Sequence, residues 1–237
     1  MDKTVIKVTK LFYYPIKSAH EYQKDEIKIE RKGAINDRVF LIVKKKDLTP
    51  ISFKNYPQIY YIETKYEDNK VHITIPFEKS PKTFTLEINP KAEYPKENIY
   101  KTVTSGCSCD GVSLDNNLNN ALSEYFGEEC LILYCIGERF LKDYHKPKMM
   151  HDLKENDSMT YNFTAPFLII TEESLNYLNE LLAKRNEKKV EAMHFRPNIV
   201  VQGGSKEFWE KSPSKFKVNN MVFRNIKPCT RCMVNII

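Results

Sequence analysis

The residues best suited to chemistry cluster towards the C-terminal end of this 237-residue chain. Cys229-Thr-Arg-Cys232 sets two thiols around a guanidinium, and Arg196-Pro-Asn198 opens the apolar run Ile199-Val-Val201. A thiolate is a soft, strongly donating metal ligand, and a cationic neighbour such as Arg231 favours its deprotonated form. Arginine forks and an amide suit phosphate or oxo groups through charge-assisted hydrogen bonds. Together these residue types point to an anionic metal cofactor held where strand ends converge. A second reading stays open at this stage. Cys107-Ser-Cys109 with Cys229 and Cys232 offers four thiolates for a structural zinc ion, although a one-residue spacing is tighter than the usual knuckle.

Such groups must be carried by strands, and the apolar patterning supplies them. Residues 3 to 14 alternate and stop at Tyr14-Pro15, because proline cannot donate to a ladder. Lys17-Ser18 then falls in a loop, and Asp37-Arg38 stands at the head of the continuous apolar run Val39 to Val43. A meander is expected from Ile59 to Tyr66, Val71 to Ile75 and Thr83 to Ile88, with no helix in the first hundred residues. Pro90 to Asn98 is polar and proline-containing, which marks a division into residues 1–98 and 99–237.

The second part mixes helices and strands. Asp115 is a good N-cap for Leu118, Ala121, Leu122, Tyr125 and Phe126, and Gly127 ends that helix. Leu131 to Tyr134 reads as a strand, and 137 to 160 as a charged loop in which His145 and His151 are solvated. Thr171 caps a second helix whose Leu175, Leu178, Leu181 and Leu182 form a core stripe. Strands at 197–202 and 216–226 follow.

Composition narrows the function classes. The longest apolar runs fall far short of the roughly 20 residues needed to cross a bilayer, and the alternating N-terminus resembles neither a signal nor a transit peptide. A cytoplasmic location is the expectation, and six cysteines in that setting read as free thiols or ligands. The net charge is +6, but only seven of the 37 basic residues are arginine. Abundant lysine is mostly a solvated face, and the absence of an aromatic-basic phrase argues against nucleic acid.

Several phrases carry a resemblance. Leu11-Phe-Tyr-Tyr-Pro-Ile-Lys-Ser, Asp37-Arg-Val-Phe-Leu-Ile-Val, Ile51-Ser-Phe-Lys-Asn-Tyr-Pro, Ala165-Pro-Phe-Leu-Ile-Ile-Thr-Glu-Glu-Ser-Leu-Asn-Tyr-Leu-Asn and the pair Phe-Arg-Pro-Asn-Ile-Val-Val and Lys-Pro-Cys-Thr-Arg-Cys occur in order. They resemble the MOSC family, named from the C-terminal domain of molybdenum cofactor sulfurases, and nearest in layout the amidoxime-reducing group. The resemblance implies an α+β fold: a mostly β N-terminal barrel-like domain, then a MOSC-like β-barrel with a few helices. It also implies further C-terminal strands beyond those seen here.

By the same resemblance, Cys232 is the molybdenum ligand and catalytic thiolate. Lys17, Ser18, Arg38, Lys54, Thr164, Arg196, Asn198, Thr230 and Arg231 hold the molybdenum cofactor, a molybdopterin. Lys54 stands where the family has arginine, Phe163 and Ala165 where it has polar groups, and Asn235 where it has threonine. The implied reaction is reduction of a small N-hydroxylated or N-oxide substrate. No flavin, haem or ferredoxin fingerprint occurs, so electrons come from a separate donor, by resemblance a b-type cytochrome and its reductase. Mitochondrial association is implied by resemblance alone. The alternative is a non-enzymatic cofactor carrier or sulfur relay; pyridoxal phosphate is not expected, since the chain has no room for a desulfurase domain.

Overall fold

The structure, a computed structural model, describes residues 6–144, 150–204, 206–213 and 215–229. Ten strands precede the first helix. They are β1 (Lys7–Tyr13), β2 (Tyr22–Lys24), β3 (Ile29–Glu30), β4 (Gly33–Ala34), β5 (Phe40–Lys44), β6 (Glu63–Glu67), β7 (Lys70–Ile75), β8 (Lys82–Glu87), β9 (Ile99–Thr104) and β10 (Cys107–Ser113). Helix α1 (Asn116–Phe126) leads to β11 (Cys130–Cys135), β12 (Arg139–Phe140), β13 (Ser158–Met159) and β14 (Ile169–Thr171). Helix α2 (Glu172–Lys184), β15 (Ile199–Gln202), β16 (Lys215–Val218) and β17 (Met221–Arg224) follow. Among the described residues the fold is mostly β with two α-helices, the α+β class expected from the sequence.

Two four-stranded sheets position the site. One runs β14-β15-β1-β2, with β14 parallel and β1 antiparallel to β15. The other runs β5-β11-β10-β9. Both join residues before 98 to residues after it, through Leu11 opposite Ile199 and Phe40 opposite Tyr134. Every residue of β11 is buried, as a continuous apolar strand covered on both faces should be. Helix α1 lies against it. Asp115 accepts from Leu118 N at 2.8 Å, and Gly127 closes the helix at φ 65°. Buried Asn119 ties helix to sheet, accepting from Ile132 N at 2.8 Å and donating to Ser113 at 2.7 Å.

The meander β6-β7-β8 packs Val71, Ile73, Ile75 and Leu86 into the main core with α1. Several local expectations differ. Ile59 belongs to a 3-10 turn, Pro57–Tyr61, because Pro57 presets the first turn and Tyr56 N donates to Ser52 O at 2.9 Å just before it. The hairpin β9–β10, which buries Cys107 and Cys109, departs from the sequence expectation; burial alternates along it, but its buried positions include Thr102, Thr104, Cys107 and Cys109, too weakly apolar to signal a strand. Residues 216–226 form not one strand but the hairpin β16–β17, turned at Asn219-Asn220, with Asn219 at φ 52°. Of the leucine stripe on α2 only Leu175 is buried, and Leu181 is 38% exposed. Beside that helix lies a cavity of ≈ 760 Å³, bounded by Leu175, Leu178, Phe167, Phe216 and Phe223. Among the described residues no helix is long and apolar enough to cross a membrane.

Candidate functional site

The candidate site forms where β1, the head of β5 and the approach to β15 meet. Residues 14–17 run beside 38–40: Arg38 N donates to Tyr14 O at 2.8 Å, Phe40 N to Pro15 O at 3.0 Å, and Lys17 N to Phe40 O at 2.9 Å. On the other side Phe12 N donates to Asn198 O at 2.9 Å. The chain therefore delivers Tyr14, Lys17, Arg38, Arg196 and Asn198 to one place from three distant segments.

Tyr14 is fully buried and forms the floor. The Arg38 and Arg196 guanidinium carbons lie 4.4 and 4.2 Å from its ring centroid, so both cations stack on one aromatic. Asp37, 2% exposed, fixes this arrangement. Its Oδ1 accepts from Tyr14 N at 2.9 Å, while Oδ2 accepts from Arg38 Nη1 at 2.5 Å and from Asn162 Nδ2 at 3.1 Å. Arg38 also donates to Asn198 Oδ1 at 3.2 Å and Arg196 O at 3.1 Å.

Both side-chain polar atoms of Asn198 are engaged within the protein. Besides Arg38, its Oδ1 accepts from Leu168 N at 3.3 Å, and its Nδ2 donates to Phe12 O at 3.3 Å. Its geometry is that of a brace for Arg38. Arg196 differs. Nη1 donates to Ala19 O at 2.7 Å, but Nη2 is buried with no hydrogen-bond partner among the described residues. A buried unpaired donor on a cation is costly and calls for an acceptor.

Lys17 Nζ donates to Tyr161 O at 2.8 Å and stands 5.9 Å from the ring of Phe163, which is 64% exposed. Burial, then the nearby Arg139, Arg38 and Arg196, lowers the Lys17 pKa to about 7. Burial likewise lowers Arg196 to about 10. In both cases burial is the larger cause and neighbouring guanidinium groups add to it, while Glu21 and Asp37 oppose the shift of Arg196.

Three of these residues hold left-handed backbone, Ser18 at φ 73°, Arg38 at 49° and Arg196 at 53°. Each costs about 1 kcal/mol or more in a non-glycine residue, and such strain gathers where a site requires it. The structure does not gather every expected residue. Lys54 is exposed, Thr164 is half-buried, and no hydrogen bond or ion pair joins either to the cluster among the described residues. Thr230, Arg231, Cys232 and Asn235 lie outside the described residues, as does His145; Cys229 and His151 are exposed. No group of three or more metal-ligating side chains occurs among the described residues.

Sequence reasoning missed Tyr14, Asp37 and Arg139 as working parts. Arg139 is fully buried and clamps three carbonyls: Nη1 donates to Thr160 O at 3.0 Å and Asn162 O at 2.6 Å, and Nη2 to Thr104 O at 2.5 Å. It thereby fixes the segment whose Tyr161 carbonyl receives Lys17. The one available signal was the scarcity of arginine itself, which made each of the seven worth placing.

Comparison with known proteins accords with this geometry. Residues 5–129 match the MOSC N-terminal beta barrel domain, and residues 156–236 match the MOSC domain. Mitochondrial amidoxime-reducing component 1 of Mus musculus is 24% identical over 235 residues, covering 97% of this chain and 65% of its own. Mitochondrial amidoxime reducing component 2 of Macaca fascicularis is 26% identical over 234 residues, covering 97% and 66%. Molybdenum cofactor sulfurase of Caenorhabditis briggsae is 27% identical over 236 residues, covering 98% and 29%. The chain thus spans just under two thirds of the amidoxime-reducing relatives and under a third of the sulfurase. With one domain model covering more than half of its length and the second most of the remainder, the chain belongs to the family that joins a MOSC N-terminal β-barrel domain to a MOSC domain.

Proposed function

We propose that this chain binds a molybdenum-pterin cofactor and reduces N-hydroxylated or N-oxide substrates, with electrons from a separate protein. The observation that carries the proposal is the spare donor above Tyr14: Arg38 and Arg196 stack on one buried ring, Arg38 is paired with Asp37, and Arg196 Nη2 lacks an acceptor among the described residues. An anionic group such as a pterin phosphate fits that donor set, since it would satisfy Nη2 and offset the crowding of cations. Lys17 retains donors beyond its bond to Tyr161 O, and an anion beside it would hold it protonated. Asp37 and Asn198 orient Arg38, while Arg139 orients the carbonyl under Lys17. Ser18, Lys54, Thr164, Thr230 and Arg231 are proposed as further cofactor contacts, and Cys232 as the metal ligand and catalytic thiolate. When bound, the cofactor would supply two-electron redox chemistry at molybdenum; the protein supplies grip, orientation and access.

The test is molybdenum content by elemental mass spectrometry on protein from a cofactor-competent host. Near-stoichiometric molybdenum, lost in Cys232→Ala and reduced in Arg196→Ala, is the expected result. Zinc, or no metal in any of the three proteins, would reject it. The sulfurase match, which covers 98% of this chain, favours a second reading as a non-enzymatic cofactor carrier or sulfur relay. Bound molybdenum without turnover of an amidoxime, in the presence of a chemical reductant, would select that reading.

A further inference from the structure

Away from the cradle, the hairpin β9–β10 and strand β11 bury a pair of thiols. Cys109 and Cys135 are 4% and 9% exposed, and their sulfurs lie 3.2 Å apart. They sit diagonally on adjacent antiparallel strands, since Cys135 faces Gly111 in the register. Gly137 lies beside the pair, with its carbonyl 3.4 Å from Cys135 Sγ. A disulfide requires an S–S distance of about 2 Å, so closing the bond also draws the two strands together at this diagonal position. The other two buried thiols are placed differently. Cys107 points to Phe140 O at 3.4 Å, and burial raises Cys130 to about 11.

We propose that Cys109 and Cys135 form a reversible disulfide, with a small peroxide as oxidant. The Cys135 thiolate attacks one peroxide oxygen; the O–O bond breaks, water leaves after taking up a proton, and Cys135 becomes a sulfenic acid. The Cys109 sulfur then displaces the sulfenic hydroxyl as a second water, its thiol proton accompanying the leaving group. Two thiols lose two electrons and two protons, and one peroxide becomes two waters. The hydrogen bond shared between the two sulfurs lowers the pKa of Cys135 and raises that of Cys109, so Cys135 is the attacking sulfur. Arg139 adds a favourable positive charge to both.

The pair is close to the cradle in connectivity. Tyr161 packs with both cysteines in one buried cluster, and its carbonyl receives the Lys17 ammonium. The S–S state therefore bears on the residue that holds Lys17.

The full-length chain is treated with hydrogen peroxide, alkylated in denaturant and digested without reductant. The expected map joins Cys109 to Cys135 in most molecules, leaves Cys130 alkylated, and reverts on dithiothreitol treatment. Cys109→Ala should leave a dimedone-reactive sulfenic acid at Cys135. Full alkylation of both cysteines after exposure, or their joining to other thiols, overturns the proposal. So does equal formation of the same link in urea-unfolded chain, which would mean that native juxtaposition is not its cause. Neither result depends on a variant folding, because the map is made on the unaltered chain.

Discussion

Arg139 and Arg196 are both buried guanidinium groups bonded to backbone carbonyls, yet they serve opposite ends. Arg139 spends its Nη donors on Thr104, Thr160 and Asn162, joining a hairpin to the segment beneath Lys17. Arg196 gives one donor to Ala19 and leaves Nη2 unsatisfied against the ring of Tyr14. One cation holds the fold and the other holds charge in reserve. Arg139 Nε is also buried without a hydrogen-bond partner among the described residues, so neither burial nor one unspent donor identifies a ligand-binding arginine; what separates the two is that Arg139 holds three carbonyls and Arg196 one.

This contrast can be broken experimentally. Arg139→Met should cost about 3 kcal/mol or more in urea denaturation, because three buried carbonyls lose their partners. Arg196→Met should cost markedly less stability and instead abolish sulfate or phosphate binding measured by calorimetry. Equal stability losses in the two variants would erase the distinction. Next in size is Gly111→Ala on the Arg139 side, where a new Cβ would overlap the Tyr161 hydroxyl and stand 3.0 Å from Leu133 Cβ. A loss of about 2 kcal/mol is expected, partly restored in the Tyr161→Phe background, where the hydroxyl is gone; no restoration would mean that Leu133 sets the cost.

A pH series sharpens the cradle side. The Lys17 pKa is lowered to about 7 in the native state, against an unfolded value near ~10.4. Between those values the unfolded chain binds the proton and the native chain does not, so native stability rises with pH across that window. Relative to wild type, Lys17→Met should be most stabilising below pH 7 and lose its advantage towards pH 10. Phosphate should bind the wild type more tightly below pH 7 than above it. A flat difference curve would mean that Lys17 stays charged throughout. The smallest effect belongs to the surface: Lys65→Ala, which removes an exposed pair with Glu67, should leave both melting temperature and anion binding unchanged within error.

Much of this was legible in the sequence. Both helices follow from Asp115 and Thr171 as caps and from 3.6-residue apolar spacing, and β5 and β11 follow from their unbroken apolar runs. The meander was readable because Val71, Ile73 and Ile75 alternate. Hairpin β9–β10 was not, since Lys101, Ser108 and Asp110 dilute any apolar signal. For the site, Lys17, Arg38, Arg196 and Asn198 were identified by residue type and phrase. That Asn198 is a brace, and that Tyr14 is the floor, depends on pairing between β1 and β15, which no local pattern encodes. Arg139 was hidden for the same reason: its partners are carbonyls 21, 23 and 35 positions away.

The pairing of β1 with β15 has a kinetic consequence. Asn198 bonds to Phe12 across 186 positions, and Arg38 to Asn198 across 160. Closing such long loops is slow because the entropy of the intervening chain is lost before the contact rewards it. During synthesis the first strand can pair with β2 at once but must wait for residue 199 to emerge before its β15 neighbour exists. An anion that requires Arg38 and Arg196 together can thus engage only the finished fold, and its capture would act as a check that chain closure has occurred.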